Sequence, residues 1–295
     1  MTESRSYSVL AVDGGGTRCR VAFARGLEIV TVETGAANVS TDFDGAVSEI
    51  LRALDMVTAE TDQSIHALGR VPAFVGLAGV TGPEMAERLR AALPFLHVDI
   101  RDDRPAALRG ALGAEDGVIA HCGTGSFLAA QSRGEMRFAG GWGPVLGDEA
   151  SAQWIGRRAL GLTLQAVDGR FDETGLSAHF LSEFGDAAGI VRFAGGATPP
   201  ELGALAPIVT DRAASGDALA VRVMQDGAND LVRAIPDIGW QPGQRICLTG
   251  GIGPQFARYL PKTQQAHITD PVGEPLDGAL ALARDLAEET VHERD

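Results

Sequence analysis

Two glycine-rich segments carry the residue types best suited to chemistry, and each lies between two apolar runs. The first reads YSVLAVDGGGTRCRVAFA, and the second, further along the chain, reads DGVIAHCGTGSFLAA. Each pattern predicts a strand, a tight tip and a return strand. Glycine N–H groups at such a tip can approach anionic oxygens closely, because no Cβ atom is in the way. The residues of the two tips are Asp13, Gly14, Gly15, Gly16 and Thr17 in the first, and Gly123, Thr124, Gly125 and Ser126 in the second.

The first tip does not match the common phosphate-binding fingerprints. No lysine follows its glycines, and no helix follows the tip, which excludes the GxxxxGK[ST] loop. The same topology excludes the dinucleotide fingerprint. One glycine-rich tip alone is often structural. Two matched tips, the first with an acidic residue at its strand end, favour phosphate binding by two similar domains.

The length and net charge of the chain limit its number of domains and the kinds of partner it can bind. The 295 residues are enough for two domains with separate cores. A net charge of −14 argues against a nucleic acid or an anionic membrane as partner, since both would repel the chain. No apolar run approaches the roughly 20 residues that span a bilayer. The N-terminus MTESRSYS lacks the layout of a signal peptide, so we expect a cytoplasmic protein.

Cys19, Cys122 and Cys247 are widely separated, and each lies in an apolar, strand-like context. Buried cysteines of this kind act as small hydrophobic residues. The chain contains no CxxC motif and no Cys/His cluster, so the sequence gives no support for a zinc or iron–sulfur site.

Hydrophobic periodicity predicts three strands followed by alternating helices and strands, and then a repeat of that order with insertions. In the first half, strands are expected at 9–12, 19–23, 27–34, 73–78 and 96–100, and helices at 43–59, at 84–92 and from 105. In the second half, strands are expected at 118–120, 127–131, 135–139, 245–249 and 265–268. Helices are expected at 149–167, at 208–235 with a break at 215–216, after the glycines at 250–253 as far as residue 259, and at 277–286. The region 168–207 is expected to contain helical insertions and loops.

These motifs together resemble the acetate kinase, sugar kinase, Hsp70 and actin superfamily, and within it the N-acetylglucosamine kinase branch of the BadF/BadG-type ATPase family. The matching motifs, in the expected order, are DGGGT (13–17), Asn38, Asp103, GTGS (123–126), GGWGPVLGDEAS (140–151) and LTGGIG (248–253). The resemblance implies an α/β protein of two ribonuclease H-like (actin-like ATPase) domains, each with a mixed βββαβαβα core. The expected domains are 1–115, with a closing helix at 273–290 packed back on it, and 116–272 with helical insertions.

The resemblance also implies an ATP-dependent kinase that phosphorylates the 6-hydroxyl of an amino sugar. Asp13 would hold Mg²⁺ through water, because Mg²⁺ keeps much of its hydration shell. The residues expected to bind ATP are Asp13, Gly14, Gly15, Gly16, Thr17, Gly123, Thr124, Gly125, Ser126, Gly250 and Gly251. Asp103 would be the catalytic base, and the residues expected to bind the sugar are Asn38, Asp103, Gly141, Trp142, Gly143 and Asp148.

Each of these residues has a plainer interpretation. Asp103 is also suited to capping the helix that Pro105 opens, and the adjacent Asp102 makes spacing alone a weak guide. Trp142 is equally suited to anchoring its loop by packing, and Gly250 with Gly251 to forming a simple turn between a strand and a helix.

Two departures from the family pattern bear on the substrate. Arg18 stands where the family usually has a lysine after DGGGT. Ser40 stands where the family often has a tryptophan, two residues after the sugar-binding asparagine. The second change could widen the space around the 2-substituent of the sugar. The choice between glucosamine and N-acetylglucosamine therefore stays open, as does the oligomeric state, a homodimer included.

Two other functions compete with the kinase. An activator ATPase of the same family, which serves a 2-hydroxyacyl-CoA dehydratase or benzoyl-CoA reductase type of system, would need cysteines that bridge two subunits through an iron–sulfur cluster. None of the three cysteines is suitably placed for that. A non-catalytic sensor of sugar and nucleotide would be expected to lack the base, whereas Asp103 is present.

Overall fold

The computed structural model describes residues 7–292 and divides the chain into two compact units. Unit 1 contains the described residues up to Ala114 together with those from Val272 onward, and unit 2 contains Glu115–Pro271. No helix in the described part of the chain is both long and apolar enough to cross a membrane.

Unit 1 is built on a five-stranded mixed sheet. Its first three strands form an antiparallel meander, and the last two run parallel to the first. The carboxyl ends of the three parallel strands therefore meet at one edge of the sheet. In sheet order the strands are β3 (Glu28–Thr34), β2 (Cys19–Arg25), β1 (Ser8–Gly14), β4 (Ala73–Leu77) and β5 (Val98–Arg101).

Helices cover the sheet of unit 1. The first helix begins where the Asp42 carboxylate accepts a hydrogen bond from Gly45 N–H, and its buried residues recur at helical spacing. The last helix packs on the strands through Leu276, Ala279 and Leu280. The helices of unit 1, numbered along the chain, are α1 (Phe43–Thr61), α2 (Ile65–Leu68), α3 (Pro83–Ala92), α4 (Arg104–Leu112) and α12 (Pro275–His292).

Unit 2 repeats the antiparallel meander and adds one parallel strand. In sheet order its strands are β8 (Glu135–Gly140), β7 (Ser126–Ser132), β6 (Gly117–Cys122) and β9 (Arg245–Thr249). Its helices are α5 (Ala152–Val167), α6 (Gly175–Phe184), α7 (Ala187–Gly196), α8 (Pro199–Gly203), α9 (Ala206–Ala214), α10 (Ala218–Asp237) and α11 (Lys262–Gln265). A 3₁₀ helix, Gly253–Tyr259, follows β9.

Most predicted elements are present, and the region 168–207 contains helices α6 to α8. The predicted break at 215–216 is confirmed, because α9 ends at Ala214 and Asp217 caps α10. The predicted start of the helix at 149 is wrong. Asp148 and Ala150 have φ values of 62° and 63°, which a helix cannot contain, and Ser151 caps α5 instead.

The strand predicted at 265–268 is also wrong. Lys262–Gln265 forms the short helix α11, and only an isolated bridge between Ile246 and Ile268 remains of the pairing. The physical reason is the hydrogen bonding of the Gln265 side chain. Gln265 donates to the carbonyls of Arg258 and Leu260, and these side-chain bonds hold the segment as a turn. The sheet of unit 2 therefore has four strands rather than five.

Helices α4 and α12 touch through their backbones. A Cβ atom on Gly110 would lie 2.1 Å from the carbonyl oxygen of Glu274, and one on Gly278 would lie 2.0 Å from the carbonyl oxygen of Ala106. Only glycine permits this approach at both positions. The segment that closes unit 1 is thereby fixed against the helix that begins next to Asp103.

We expect Gly278→Ala to destabilise unit 1 by about 1–3 kcal/mol, because the new methyl group meets backbone that cannot move aside. Gly161→Ala is the matched control, since Gly161 lies within α5 and nothing would contact its added Cβ within 4 Å. In a helix that change stabilises by roughly 0.5–1 kcal/mol. Differential scanning calorimetry distinguishes the two, and equal melting temperatures for both variants would contradict the close approach.

Candidate functional site

Asp13 lies at the carboxyl end of β1, where the first glycine tip begins. Its cross-strand neighbour Arg20 donates from Nε and Nη2 to the same carboxylate oxygen, Oδ2, at 3.2 and 2.7 Å. Gly14 is required by packing, because a Cβ there would lie 2.4 Å from Leu77. Gly16 is exposed, and nothing would lie within 4 Å of an added Cβ. The first tip is therefore closely packed at Gly14, where β1 ends, and exposed at Gly16.

The pair Asp102 and Asp103 follows β5 at the same edge of the sheet. Asp102 is bound by Arg104, whose N–H and Nε donate to Asp102 Oδ1 at 3.0 and 2.7 Å. Asp103 precedes α4, but its side chain makes no capping hydrogen bond. No ion pair in the described part of the chain involves the Asp103 carboxylate. The capping interpretation of Asp103 is therefore wrong, and its carboxylate is available to a ligand.

The surroundings of Asp103 disfavour its charged form. Burial raises the pKa of Asp103 to about 6, with further contributions from the negative charges of Asp102 and Asp13. Arg104 opposes the rise. The unit 1 site thus contains two carboxylates held by arginines and one with a raised pKa.

The loop that follows β3 crosses this same edge. Ala37 N–H donates to Gly15 O, and Val39 N–H donates to Ala78 O, so the loop is tied to the ends of β1 and β4. Asn38 lies between these ties. Its Oδ1 accepts hydrogen bonds from the N–H and the hydroxyl of Ser40 at 3.0 and 2.8 Å. These bonds leave the amide NH₂ of Asn38 as its remaining donor group.

In unit 2 the second tip is docked on the segment that precedes α5. The Ser126 hydroxyl donates to Glu149 O at 2.6 Å, and Ala152 N–H donates to Gly123 O at 2.8 Å. A Cβ on Gly125 would lie 2.9 Å from Asp148 Oδ2. Thr124 is exposed at the end of the tip. The tip and Asp148 therefore form one compact group.

Asp148 is only 7% exposed and adopts a left-handed backbone conformation. Burial raises the pKa of Asp148, and the nearby N–H groups of Ser126 and Gly143 oppose the rise. Gly141 and Gly143, with φ values of 74° and 84°, shape the loop before it. Trp142 between them is 76% exposed, so it does not anchor the loop by packing.

The Gly250 turn lies against the start of the second tip. Gly250 has a φ of 78°, and a Cβ there would lie 2.4 Å from Cys122 O. Ile252 N–H donates to the same carbonyl at 3.0 Å. Gly251 is exposed, with nothing within 4 Å of an added Cβ. The Gly250 turn is thus constrained by its contacts with Cys122 O, unlike a simple connection between two elements. Its exposed side, at Gly251, consists of backbone atoms only.

Two further polar residues at these edges were not found by sequence reasoning. Arg20 holds Asp13, as described above. His121, on β6, contacts Thr249 Oγ1 through Nδ1 at 3.1 Å and stacks on Phe127, and burial lowers its pKa. A polar residue inside an otherwise apolar strand, as in VIAHC, is the signal that could have found His121.

All three cysteines are buried. Burial raises the pKa of both Cys19 and Cys122 to about 12, so neither thiol ionises near neutral pH. Their predicted role as small hydrophobic residues is confirmed. In residues 7–292 no cluster of three or more His, Cys, Asp or Glu side chains could hold a metal ion by itself.

We expect a carboxyl titration followed by ¹³C NMR to show one aspartate with a pKa of about 6. The Asp103→Asn variant should lose that titration. Asp102→Asn should keep it but move it to lower pH, because removing a like charge favours ionisation of Asp103. A set of carboxyl titrations near pH 6 that is identical in Asp103→Asn and in the wild type would contradict this assignment.

Comparisons with known proteins cover nearly the whole chain. The model of the BadF/BadG/BcrA/BcrD ATPase family matches residues 10–281. The "putative N-acetylglucosamine kinase" from Chromobacterium violaceum is a solved structure with a TM-score of 0.81 and 30% identity, over 94% of this chain and 99% of that one.

Two curated relatives agree with this match. The glucosamine kinase GspK of Vibrio cholerae is 28% identical over 93% of this chain and 95% of its own length. The N-acetylmuramic acid/N-acetylglucosamine kinase of Clostridium acetobutylicum is 25% identical over 83% of this chain and 85% of its own length. With its two mixed sheets, its two glycine tips and this match along its length, the chain belongs to the BadF/BadG/BcrA/BcrD ATPase family.

Proposed function

We propose that this chain is an ATP-dependent kinase that transfers a phosphoryl group to the 6-hydroxyl of an amino sugar, either glucosamine or N-acetylglucosamine. The observation that carries the proposal is the Asp103 carboxylate. It lies at the same edge of the sheet as Asp13, with β4 between their strands, makes no cap and no ion pair among the described residues, and has a pKa raised to about 6. The names of the relatives, all kinases of 2-amino sugars or their derivatives, support the substrate class.

Asp103 would act as general base. Its pKa of about 6 lies just below neutral pH, where it is ionised and still a better proton acceptor than an ordinary aspartate. As the sugar oxygen forms its bond to the γ-phosphorus, the bond between that phosphorus and the β,γ-bridging oxygen breaks and ADP leaves. The proton of the hydroxyl passes to Asp103.

Phosphoryl transfer depends mainly on positioning and on neutralising charge around the phosphate oxygens. The backbone N–H groups of both glycine tips and the hydroxyls of Thr17 and Thr124 would supply part of this. Gly250 and Gly251 would let the nucleoside lie against backbone. The exposed end of the first tip and the exposed side of the Gly250 turn support these roles, because Gly16 and Gly251 leave space where a side chain would stand.

Asp13 fits a magnesium site of the usual nucleotide type. Mg²⁺ is commonly held by one or two carboxylates together with water and substrate phosphates, rather than by a protein cage. Asp13 offers one such carboxylate, and Arg20 occupies only its Oδ2. When bound, the metal would neutralise negative charge on the phosphates.

Asn38 and Asp148 suit recognition of a polyhydroxyl ligand. The Asn38 amide is oriented by Ser40, and Asp148 is held next to the Gly125 backbone. Gly141, Trp142 and Gly143 complete the proposed sugar-binding set, and the exposed Trp142 ring provides an apolar surface.

The activator ATPase is not supported. A cluster shared by two subunits needs exposed thiolates, whereas the three cysteines here are buried and the pKa of each is raised by burial.

An ADP-release assay across sugars tests the substrate class. A free or N-substituted 2-amino hexose should exceed glucose at least tenfold in kcat/KM, which corresponds to about 1.4 kcal/mol, roughly one hydrogen bond. The panel is glucosamine, N-acetylglucosamine, N-acetylmannosamine, N-acetylmuramic acid and glucose. Equal activity on glucose, or ADP release that needs no sugar, would contradict the proposal.

Asp103→Asn tests the base. Asparagine keeps the size and caps helices about as well as aspartate, but it cannot accept the proton. We expect kcat to fall by about 10²–10⁴-fold, while the Kd for the sugar, measured by calorimetry, changes much less. Asp102→Asn is the control, since its partner is Arg104. A larger loss in the control than in Asp103→Asn would place the base elsewhere.

A further inference from the structure

Arg20 is a partly buried charged residue for which the proposed chemistry gives no role. It projects from β2 directly opposite Asp13, and its side chain is 12% exposed, against 15% for Asp13. Removing two charged groups from water is costly, and an apolar pair of similar volume often stabilises a fold as well or better. A charged pair at this partly buried position therefore points to a role beyond packing.

The geometry of the pair leaves one carboxylate oxygen available. Arginine often binds a carboxylate with one nitrogen on each oxygen. Here Nε and Nη2 both donate to Oδ2 of Asp13, and the remaining terminal nitrogen, Nη1, donates to the Glu274 carboxylate instead. The Asp13 side chain is thereby fixed in orientation while its Oδ1 is not used by the arginine.

The backbone of Glu274 is held in place from two sides, while its side chain, which accepts from Arg20, is 68% exposed. Its N–H donates to the Asp277 carboxylate at 2.8 Å, at the start of α12. Its carbonyl oxygen lies against Gly110 of α4, at the position where a Cβ would clash. A continuous set of contacts therefore runs from α4, which begins next to Asp103, through Glu274 and Arg20 to Asp13.

We propose that Arg20, held by Glu274, is a positioning residue that orients Asp13 so that its Oδ1 faces a divalent cation bound with the nucleotide. This inference rests on the proposed function, because it assigns Asp13 to the metal. It predicts that the geometry of the Arg20 fork, and not only its positive charge, sets how strongly the cation strengthens nucleotide binding.

Arg20→Lys tests this with the charge unchanged. Lysine keeps the positive charge but lacks the planar guanidinium that directs two N–H groups at the one oxygen Oδ2. The measurement is the affinity for a non-hydrolysable ATP analogue, by calorimetry, with Mg²⁺ and again with EDTA. Changes in residues that orient a metal ligand typically cost 10–100-fold in metal affinity. We expect the ratio of the two affinities to fall at least tenfold in Arg20→Lys, with the affinity in EDTA little changed.

Arg25→Lys is the matched control, because Arg25 lies on the same strand and its ion pair with Glu28 is exposed. Its ratio should equal that of the wild type. Glu274→Gln provides a second variant that leaves Arg20 and Asp13 in place. Its amide accepts a weaker bond from Arg20, so the ratio should fall by an intermediate amount.

An unchanged ratio in Arg20→Lys, accompanied by a lower melting temperature, would overturn the inference and leave Arg20 a purely structural residue. A higher ratio would also overturn it, because Arg20 would then compete with the cation. The same is true if Mg²⁺ does not strengthen analogue binding in the wild type. Failure of the kinase proposal is separate, since it appears as a lack of ADP release with any amino sugar in the wild type.

Discussion

The repulsion among three carboxylates at one edge of the unit 1 sheet is the constraint on which the site depends. Asp13, Asp102 and Asp103 are brought together because the strands before them run parallel and end at the same edge. The protein compensates two of these charges with arginines, Arg20 and Arg104. The third carboxylate, Asp103, has no ion pair among the described residues. Its pKa is raised mainly by burial and further by the charges of Asp102 and Asp13, and Arg104 only partly opposes the rise.

Close backbone approaches then fix the elements that carry these groups. In unit 1, Gly110 and Gly278 let α12 touch α4, and this contact places Glu274 where it can hold Arg20. In unit 2, Gly125 and Gly250 let Asp148 and the β9 turn lie against the second tip. In each unit a few glycines therefore allow separate segments to pack closely and form one polar edge of the sheet. Such close packing suits a reaction that depends on positioning.

The sequence was sufficient to predict the two meanders, the order of helices and strands in unit 1 and both glycine tips, because apolar periodicity and glycine placement are local signals. It did not predict that α5 begins at Ala152, since the left-handed conformations of Asp148 and Ala150 are imposed by contacts with the tip. Spacing alone left Asp102 and Asp103 equivalent, and only the family resemblance favoured Asp103. The structure adds a physical difference between them, because the pairing of Arg104 with Asp102 is a matter of side-chain geometry. The role of Glu274 depends on contacts between residues far apart in the chain, for which no local pattern exists.

The dependence of the rate on pH, with MgATP and the amino sugar both well below their KM values so that the rate reports the free enzyme, tests most directly whether Asp103 is the base. Since this rate reports the ionisation of the enzyme before the substrates bind, and the base must be ionised, the rate should rise with pH through a midpoint of about 6. The small residual rate of Asp103→Asn should lack this rise. A rise with the same midpoint in Asp103→Asn, or a wild-type rate that is constant across this range of pH, would show that the proton passes to another group.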